Sequence, residues 1–259
     1  MIDDADGSDA QLAPTLLTEL RLAIAFLTIL PVIDERRASE ETVAKSFAWF
    51  PLVGFAIGAF LCVEDWLLAP FFAQVLRSIL IVLSLTIVTG AVHLDGLADT
   101  ADALGAGRDR TRALDILRDS RIGTFGAIAI FFDLTLKILA LSTLAGHLRS
   151  IALVVAPMLS RLAMVWLADG MTYLRDDGAG SELLRRKSLG LRTPTVTLII
   201  VVVVLALGDY HAVGIAAAVA IAIVFAMRFF YRRWLGGVTG DLIGACAELV
   251  EIAVLISLS

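Results

Sequence analysis

Apolar runs alternate with polar stretches along the whole chain, at about residues 16–32, 47–68, 78–92, 124–145, 150–167, 195–208, 212–227 and 242–258. A helix that crosses a bilayer needs about 20 mainly apolar residues, and the second, fourth, fifth and eighth runs reach that length. The sixth is short and is parted from the seventh only by Gly208-Asp209-Tyr210-His211, which predicts a tight hairpin. The first carries Glu19 and Arg21 and fits a span, a re-entrant piece or an interfacial helix. The pattern predicts an all-α fold, a polytopic membrane helical bundle with about 7–8 spans. No internal repeat or Pro/Gly/Ser-rich linker interrupts it, so residues 16–259 read as a single integral membrane domain. Residues 1–15 hold Asp3, Asp4, Asp6 and Asp9 and no Lys or Arg. That is no signal peptide and is expected to be a disordered acidic tail.

Composition agrees. Of 259 residues, 59% are apolar and only 18% charged, with a mean hydropathy of +0.88, far from the roughly 25% charged residues of soluble domains. The formal net charge of −5 argues against a nucleic-acid partner, which a basic field would serve. Cys62 and Cys246 sit in apolar runs and read as small core residues rather than a bridge. Outside the runs, sixteen Lys and Arg fall in alternate loops (33–46, 93–123, 168–194, 228–241) and two, Arg77 and Arg149, in the others. Basic-rich loops face the cytoplasm, so the chemistry is expected on that side. Trp49, Trp66, Trp166 and Trp234 fall near run ends, as interfacial anchors do.

The segment His93-Leu94-Asp95-Gly96-Leu97-Ala98-Asp99-Thr100-Ala101-Asp102 follows the third run directly. On a helix, Asp95, Asp99 and Asp102 at i, i+4, i+7 fall within about 60° of one another. Their like charges repel unless a divalent cation intervenes, and an oxygen-only donor set suits Mg²⁺ or Mn²⁺ with substrate phosphates. The plainer alternative is a solvated acidic face. Arg108, Arg118 and Arg121 follow closely, and carboxylates beside arginines are the parts that hold a phosphate ester or pyrophosphate. Arg110 and Arg112 read as positive-inside anchors. Asp119 is the candidate proton acceptor.

Arg161 stands inside an apolar run, where a charge must face the bundle interior, a carboxylate partner or a substrate phosphate. Asp241 and Glu251 on the last run are candidates to pair with it or to complete the acidic site, whereas Glu248 reads as an interhelical contact. Asp133 and Lys137, at i, i+4, are expected to pair with each other as a structural unit.

The run at 93–102, with Arg118-Asp119-Ser120-Arg121-Ile122-Gly123, resembles the cobalamin synthase family, the adenosylcobinamide-GDP ribazoletransferases. Phe26-Leu27-Thr28-Ile29-Leu30-Pro31, Phe50-Pro51-Leu52-Val53-Gly54, Ser160-Arg161 and Gly240-Asp241-Leu242-Ile243-Gly244-Ala245 with Glu251 match in the same order. Ala103 departs from the pattern, where the family shows glycine. The resemblance implies adenosylcobinamide-GDP and α-ribazole or its 5′-phosphate as substrates, adenosylcobalamin or its phosphate and GMP as products, and Mg²⁺ on Asp95, Asp99 and Asp102. It implies substrate-binding roles for Arg108, Arg118, Arg121, Arg161, Asp241 and Glu251. The oligomeric state, homo-oligomers included, stays open. A CDP-alcohol phosphotransferase is the alternative in the same chemistry, but the chain departs from that pattern at Asp99 and its third aspartate comes too early. A cation transporter would spread its acids over several spans at the midplane, which this sequence does not.

Overall fold

The computed structural model describes residues 15–33, 38–107, 109–119, 121–175, 202 and 208–259, and among these the only β-type pairing is an isolated bridge between Tyr173 and Val238. The first run forms only a short helix, α1 (Leu16–Leu27), capped by Thr15, whose hydroxyl accepts the Thr18 N–H at 3.1 Å. Its 12 residues reach about 18 Å at 1.5 Å per residue, too short to cross a hydrocarbon layer of roughly 30 Å. Glu19 turns inward and accepts the Trp49 indole N–H at 3.3 Å.

Ser39 caps α2 (Glu40–Ser46), which passes through a tight turn, Phe47–Trp49, into α3 (Phe50–Leu68). α4 (Gln74–Val88) and α5 (Val92–Leu104) follow, bent by 90° about Gly90 and Ala91, both left-handed with φ +62° and +56°. Next come α6 (Arg110–Ile116), α7 (Thr124–Thr143), α8 (Gly146–Ala168), α9 (Tyr210–Trp234) and α10 (Gly240–Leu258). Among the described residues four stretches are long and apolar enough to cross a membrane: Glu41–Leu68, α7, α8 and α9, with a fifth if α4 and α5 count as one broken span. α10 is long enough, but Asp241, Glu248 and Glu251 keep it out of that set. The run at 195–208 lies almost wholly outside the described residues, as do the acidic tail and Arg108.

α8 is the central helix, buried along nearly its whole length against α3, α9 and α10. α3 reaches it through two glycines one turn apart. A Cβ on Gly54 would stand 2.5 Å from the Pro157 carbonyl oxygen, and one on Gly58 2.6 Å from that of Leu153. Pro157 has no N–H to offer the Leu153 carbonyl, and that is where Gly58 packs. Small residues that let backbones touch are how helices associate where lipid removes the hydrophobic drive.

Two ionic clusters fasten the bundle. At one end Asp65 of α3 accepts Arg149 Nη2 at 2.8 Å, Arg149 Nε at 3.0 Å and Arg77 Nη1 at 3.1 Å. Both basic residues of the poorly basic loops are thereby spent on one carboxylate. In the interior, Lys137 of α7 lies 3.1 Å from Asp133 Oδ2, as the i, i+4 spacing suggested. The pair is not closed on itself, however. Lys137 Nζ also contacts Glu248 and, at 3.2 Å, Glu251 Oε1 on α10. Arg161 Nη1 of α8 donates to the other Glu251 oxygen at 2.5 Å and to Ser160 Oγ at 2.7 Å. The i, i+4 spacing reports only on neighbours along one helix, while the Lys137 side chain is long enough to reach across to another. Both cysteines are free.

Candidate functional site

One face of α5 is buried (His93, Leu94, Gly96, Leu97, Ala98, Thr100, Ala103), and the other carries the acids. Asp95 is exposed, Asp99 and Asp102 half-buried. Gly96 sets the crossing with α10, since a Cβ there would stand 2.7 Å from the Asp241 carbonyl oxygen. Gly244 plays the same part from α10, its notional Cβ 3.3 Å from the His93 Cα. This contact places Asp241, in the first turn of α10, within electrostatic reach of Asp95 and Asp99.

Arg175 completes the group. Its Nη2 donates to Asp241 Oδ2 at 2.7 Å and to the Leu117 carbonyl, and Thr239 Oγ1 donates to the same Asp241 oxygen at 3.2 Å. The guanidinium is held in register by backbone pairing, Val238 N–H to Thr172 O at 2.8 Å and Leu174 N–H to Val238 O at 2.9 Å. Nothing in the sequence singled out Arg175, which stood as one of five basic residues in its loop. Only the fold brings it to Asp241.

Burial, then the charges of Asp95 and Asp241, lift the Asp99 carboxyl to about 6, with Arg175 opposing and Asp102 adding to the rise. The folded protein thus holds this proton more tightly than the unfolded chain. Its contribution to stability is present in full below pH 3.8 and is lost as pH rises through about 6. In the presence of a chelator, the melting temperature in detergent is expected to fall between pH 5 and pH 7, about the raised pKa of Asp99, less steeply in Asp99→Asn. An equal slope in the two proteins would remove Asp99 as its source.

Asp102 has a second task. Its Oδ2 accepts the Gly123 N–H at 2.7 Å and its Oδ1 the Gly126 N–H at 2.9 Å. It caps α7 from another helix, because Gly123 at the N-cap has no side chain to do so. A Cβ on Gly123 or Gly126 would collide with this carboxylate, which gives the glycine of the 118–123 segment its reason.

The remaining sequence candidates are dispersed. Asp119 is held by its neighbour Arg121, whose Nη2 donates at 2.6 Å, Nε at 3.0 Å and backbone N–H at 3.1 Å. Those bonds hold its carboxyl below the usual range, so in this pairing it is a weak proton acceptor. Arg118 is exposed and in no salt bridge among the described residues. Arg161 and Glu251 belong to the buried network. Arg110 anchors structure, its Nε donating to the Leu235 carbonyl at 2.8 Å.

Among the described residues no three His, Cys, Asp or Glu side chains converge on a point able to hold a metal ion. The donor chemistry still suits a hard cation, because Mg²⁺ takes one or two carboxylates and fills its octahedron with water and phosphate oxygens. Asp95 and Asp99 fit that demand, with mutual repulsion for a cation to relieve. Asp102 has only its remaining lone pairs to offer.

Among the described residues, the helical architecture with four to five stretches fit to cross a membrane, and aspartates massed with an arginine where α5 meets α10, is that of a membrane-protein class. The chain belongs to the cobalamin-5-phosphate synthase (CobS) family, whose profile matches residues 19–259. It is similar to proteins named adenosylcobinamide-GDP ribazoletransferase. That of Syntrophobacter fumaroxidans is 37% identical over 90% of this chain and 94% of its own length. The Clostridium novyi protein is 33% identical over 93% and 96%, and the Escherichia coli K12 protein 36% over 91% and 96%. No solved structure matches the chain.

Proposed function

We propose that this chain is an adenosylcobinamide-GDP ribazoletransferase of a bacterial inner membrane, joining α-ribazole or its 5′-phosphate to adenosylcobinamide-GDP with release of GMP. The observation that carries the reading is the meeting of Asp95, Asp99, Asp241 and Arg175 where α5 crosses α10. The ribazole 3′-hydroxyl attacks the phosphorus on the cobinamide side. A new P–O bond forms there, and the bond to the GMP oxygen breaks, its electron pair leaving with GMP. Asp95 and Asp99 would hold Mg²⁺, which when bound would supply a Lewis acid to offset charge on the pyrophosphate. Arg118 and Arg121 offer phosphate oxygens the fork of a guanidinium, and Arg108, which lies outside the described residues, is the third candidate from the sequence. When Arg121 turns from Asp119 to the phosphate, the Asp119 carboxylate regains its ordinary basicity and accepts the hydroxyl proton. Asp241 keeps Arg175 facing the same space, and the Arg161–Glu251 pair fixes α8 against α10 behind it.

The site end faces the cytoplasm in this reading. Its support is the basic asymmetry of the loops, sharpened because Arg77 and Arg149 at the other end are tied to Asp65. A membrane-impermeant thiol reagent applied to intact cells is expected to label His147→Cys and to spare Thr111→Cys. The reverse pattern inverts the topology.

Purified protein in detergent is expected to release GMP from adenosylcobinamide-GDP only when the ribazole and Mg²⁺ are both present. Release without the ribazole would mark a hydrolase, and CMP release from a CDP-alcohol the other phosphotransferase class. Cation uptake into vesicles without any GMP release would mark a transporter.

A further inference from the structure

α8 and α9 end beside each other, and their last turns enclose an open groove of about 660 Å³ that the transferase chemistry does not use. Trp166 and Asp169 line it from α8, and Phe225, Arg228, Phe229, Arg232 and Arg233 from α9. Along α9 the lining changes character within three turns. Val224 and Phe225 come first, then Arg228 and Phe229, then the adjacent Arg232 and Arg233. Phe225 and Phe229 are 69% and 62% exposed, turned away from the bundle core.

The arginines are short of acceptors. None of the three is in a salt bridge among the described residues, although Asp169 lines the same groove. Arg228 Nη1 donates to the Trp166 carbonyl. Arg232 Nε points at the Met171 thioether at 3.1 Å, and its Nη2 reaches the Gly170 carbonyl at 3.4 Å. Arg233 lies over the Phe229 ring at 4.7 Å. A thioether is a weak acceptor, and each guanidinium has five N–H donors, so among the described residues most of this donor capacity is uncommitted. In the described lining of the groove, three cations against one carboxylate call for an anion. The exposed phenyl rings one to two turns below call for hydrocarbon. Both helices are apolar enough to cross a membrane, and Trp166 stands near the last turn of α8, where interfacial tryptophans gather.

We propose that this groove binds the headgroup of an anionic glycerophospholipid, its phosphodiester on Arg228 and Arg232 and its acyl chain along Phe225 and Phe229. Basic pockets between transmembrane helices take anionic headgroups in this way. Asp169 accepts a headgroup hydroxyl and disfavours a bare, more highly charged phosphate. The inference rests on the membrane reading of α8 and α9 and not on the transferase assignment.

The test is lipid binding to the full-length protein in detergent, followed by native mass spectrometry with phosphatidylglycerol, phosphatidylethanolamine and phosphatidylcholine of equal chain length. Phosphatidylglycerol is expected to bind about tenfold or more tightly than the other two, the scale two arginines provide at an anionic headgroup. Arg228→Gln/Arg232→Gln is expected to bring the three lipids to parity. Lys45→Gln/Arg112→Gln, which removes as much charge elsewhere, is expected to keep the preference. Should the double variant not fold, Arg232→Gln alone changes an exposed side chain and is expected to weaken phosphatidylglycerol severalfold. Equal retention of the three lipids by the unaltered protein, or an unchanged preference in the arginine variants, overturns the proposal. So does displacement of phosphatidylglycerol by inorganic phosphate or GDP at matching concentrations, which would make the groove a site for soluble anions. GMP release in the same samples reports separately on the transferase reading.

Discussion

In the proposed transferase, Asp95→Asn and Asp99→Asn are each expected to lower GMP release measured with Mg²⁺ present by about 10²–10³-fold, the cost of losing one electrostatic contact made in a transition state. The amide keeps the shape of the carboxylate and removes the charge that a hard cation needs. Neither change should harm folding. Asp95 is exposed, and Asp99 is crowded by Asp95, Asp241 and Asp102, so neutralising either relieves repulsion in the metal-free protein. Asp102→Asn behaves differently. One of its carboxylate oxygens becomes an NH₂ facing the N–H of Gly123 or Gly126, donor against donor. That variant is expected to lose stability on the scale of a helix cap, about 0.5–2 kcal/mol, as well as activity. Thermal unfolding in detergent beside GMP release, for the three variants, separates the two roles. Normal turnover by folded Asp95→Asn and Asp99→Asn would reduce the row to a solvated acidic face.

What the sequence revealed and what it hid follow from the range of each interaction. The acids of α5 were legible because i, i+4, i+7 spacing on a helix is a local fact, and α7, α8 and α10 were legible because a long apolar run is local too. The 90° bend after Val88 was not, for it depends on the left-handed Gly90 and Ala91, and an alanine gives no warning of positive φ. Nor was the Asp102 cap on α7, which joins residues more than twenty positions apart. The aspartate and the two glycines were visible separately, but their partnership needs the chain to turn back between α5 and α7. Arg175 and Asp241 stand at the far limit, brought together across sixty-six positions by pairing between two short loop segments. The eighth apolar run was legible by its length, and its acids as partners for Arg161 or for the acidic site, but only the fold divides them, Asp241 to Arg175 and Glu248 and Glu251 to the interior charges.

That interior network carries the largest expected effect on stability. Lys137 is 3% exposed and answers three carboxylates, those of Asp133, Glu248 and Glu251. Among the described residues, Lys137→Met leaves all three in the bundle interior with only Arg161, through Glu251, to compensate them. Removing one partner of a buried ion pair costs about 3–5 kcal/mol, because the remaining charge has lost both its water and its counterion. Asp133→Asn is expected to cost much less. Lys137 keeps Glu248 and Glu251, and neither Asp133 oxygen makes a geometrically sound hydrogen bond in the native state. Adding Glu248→Gln to Lys137→Met should recover part of the loss, since it withdraws one of the stranded charges and the two sites are in direct contact. Unfolding in detergent of Lys137→Met, Asp133→Asn and Lys137→Met/Glu248→Gln measures all three terms. Lys137→Met as stable as Asp133→Asn would mean that solvent reaches these carboxylates, and that α7, α8 and α10 are held together by their packing alone.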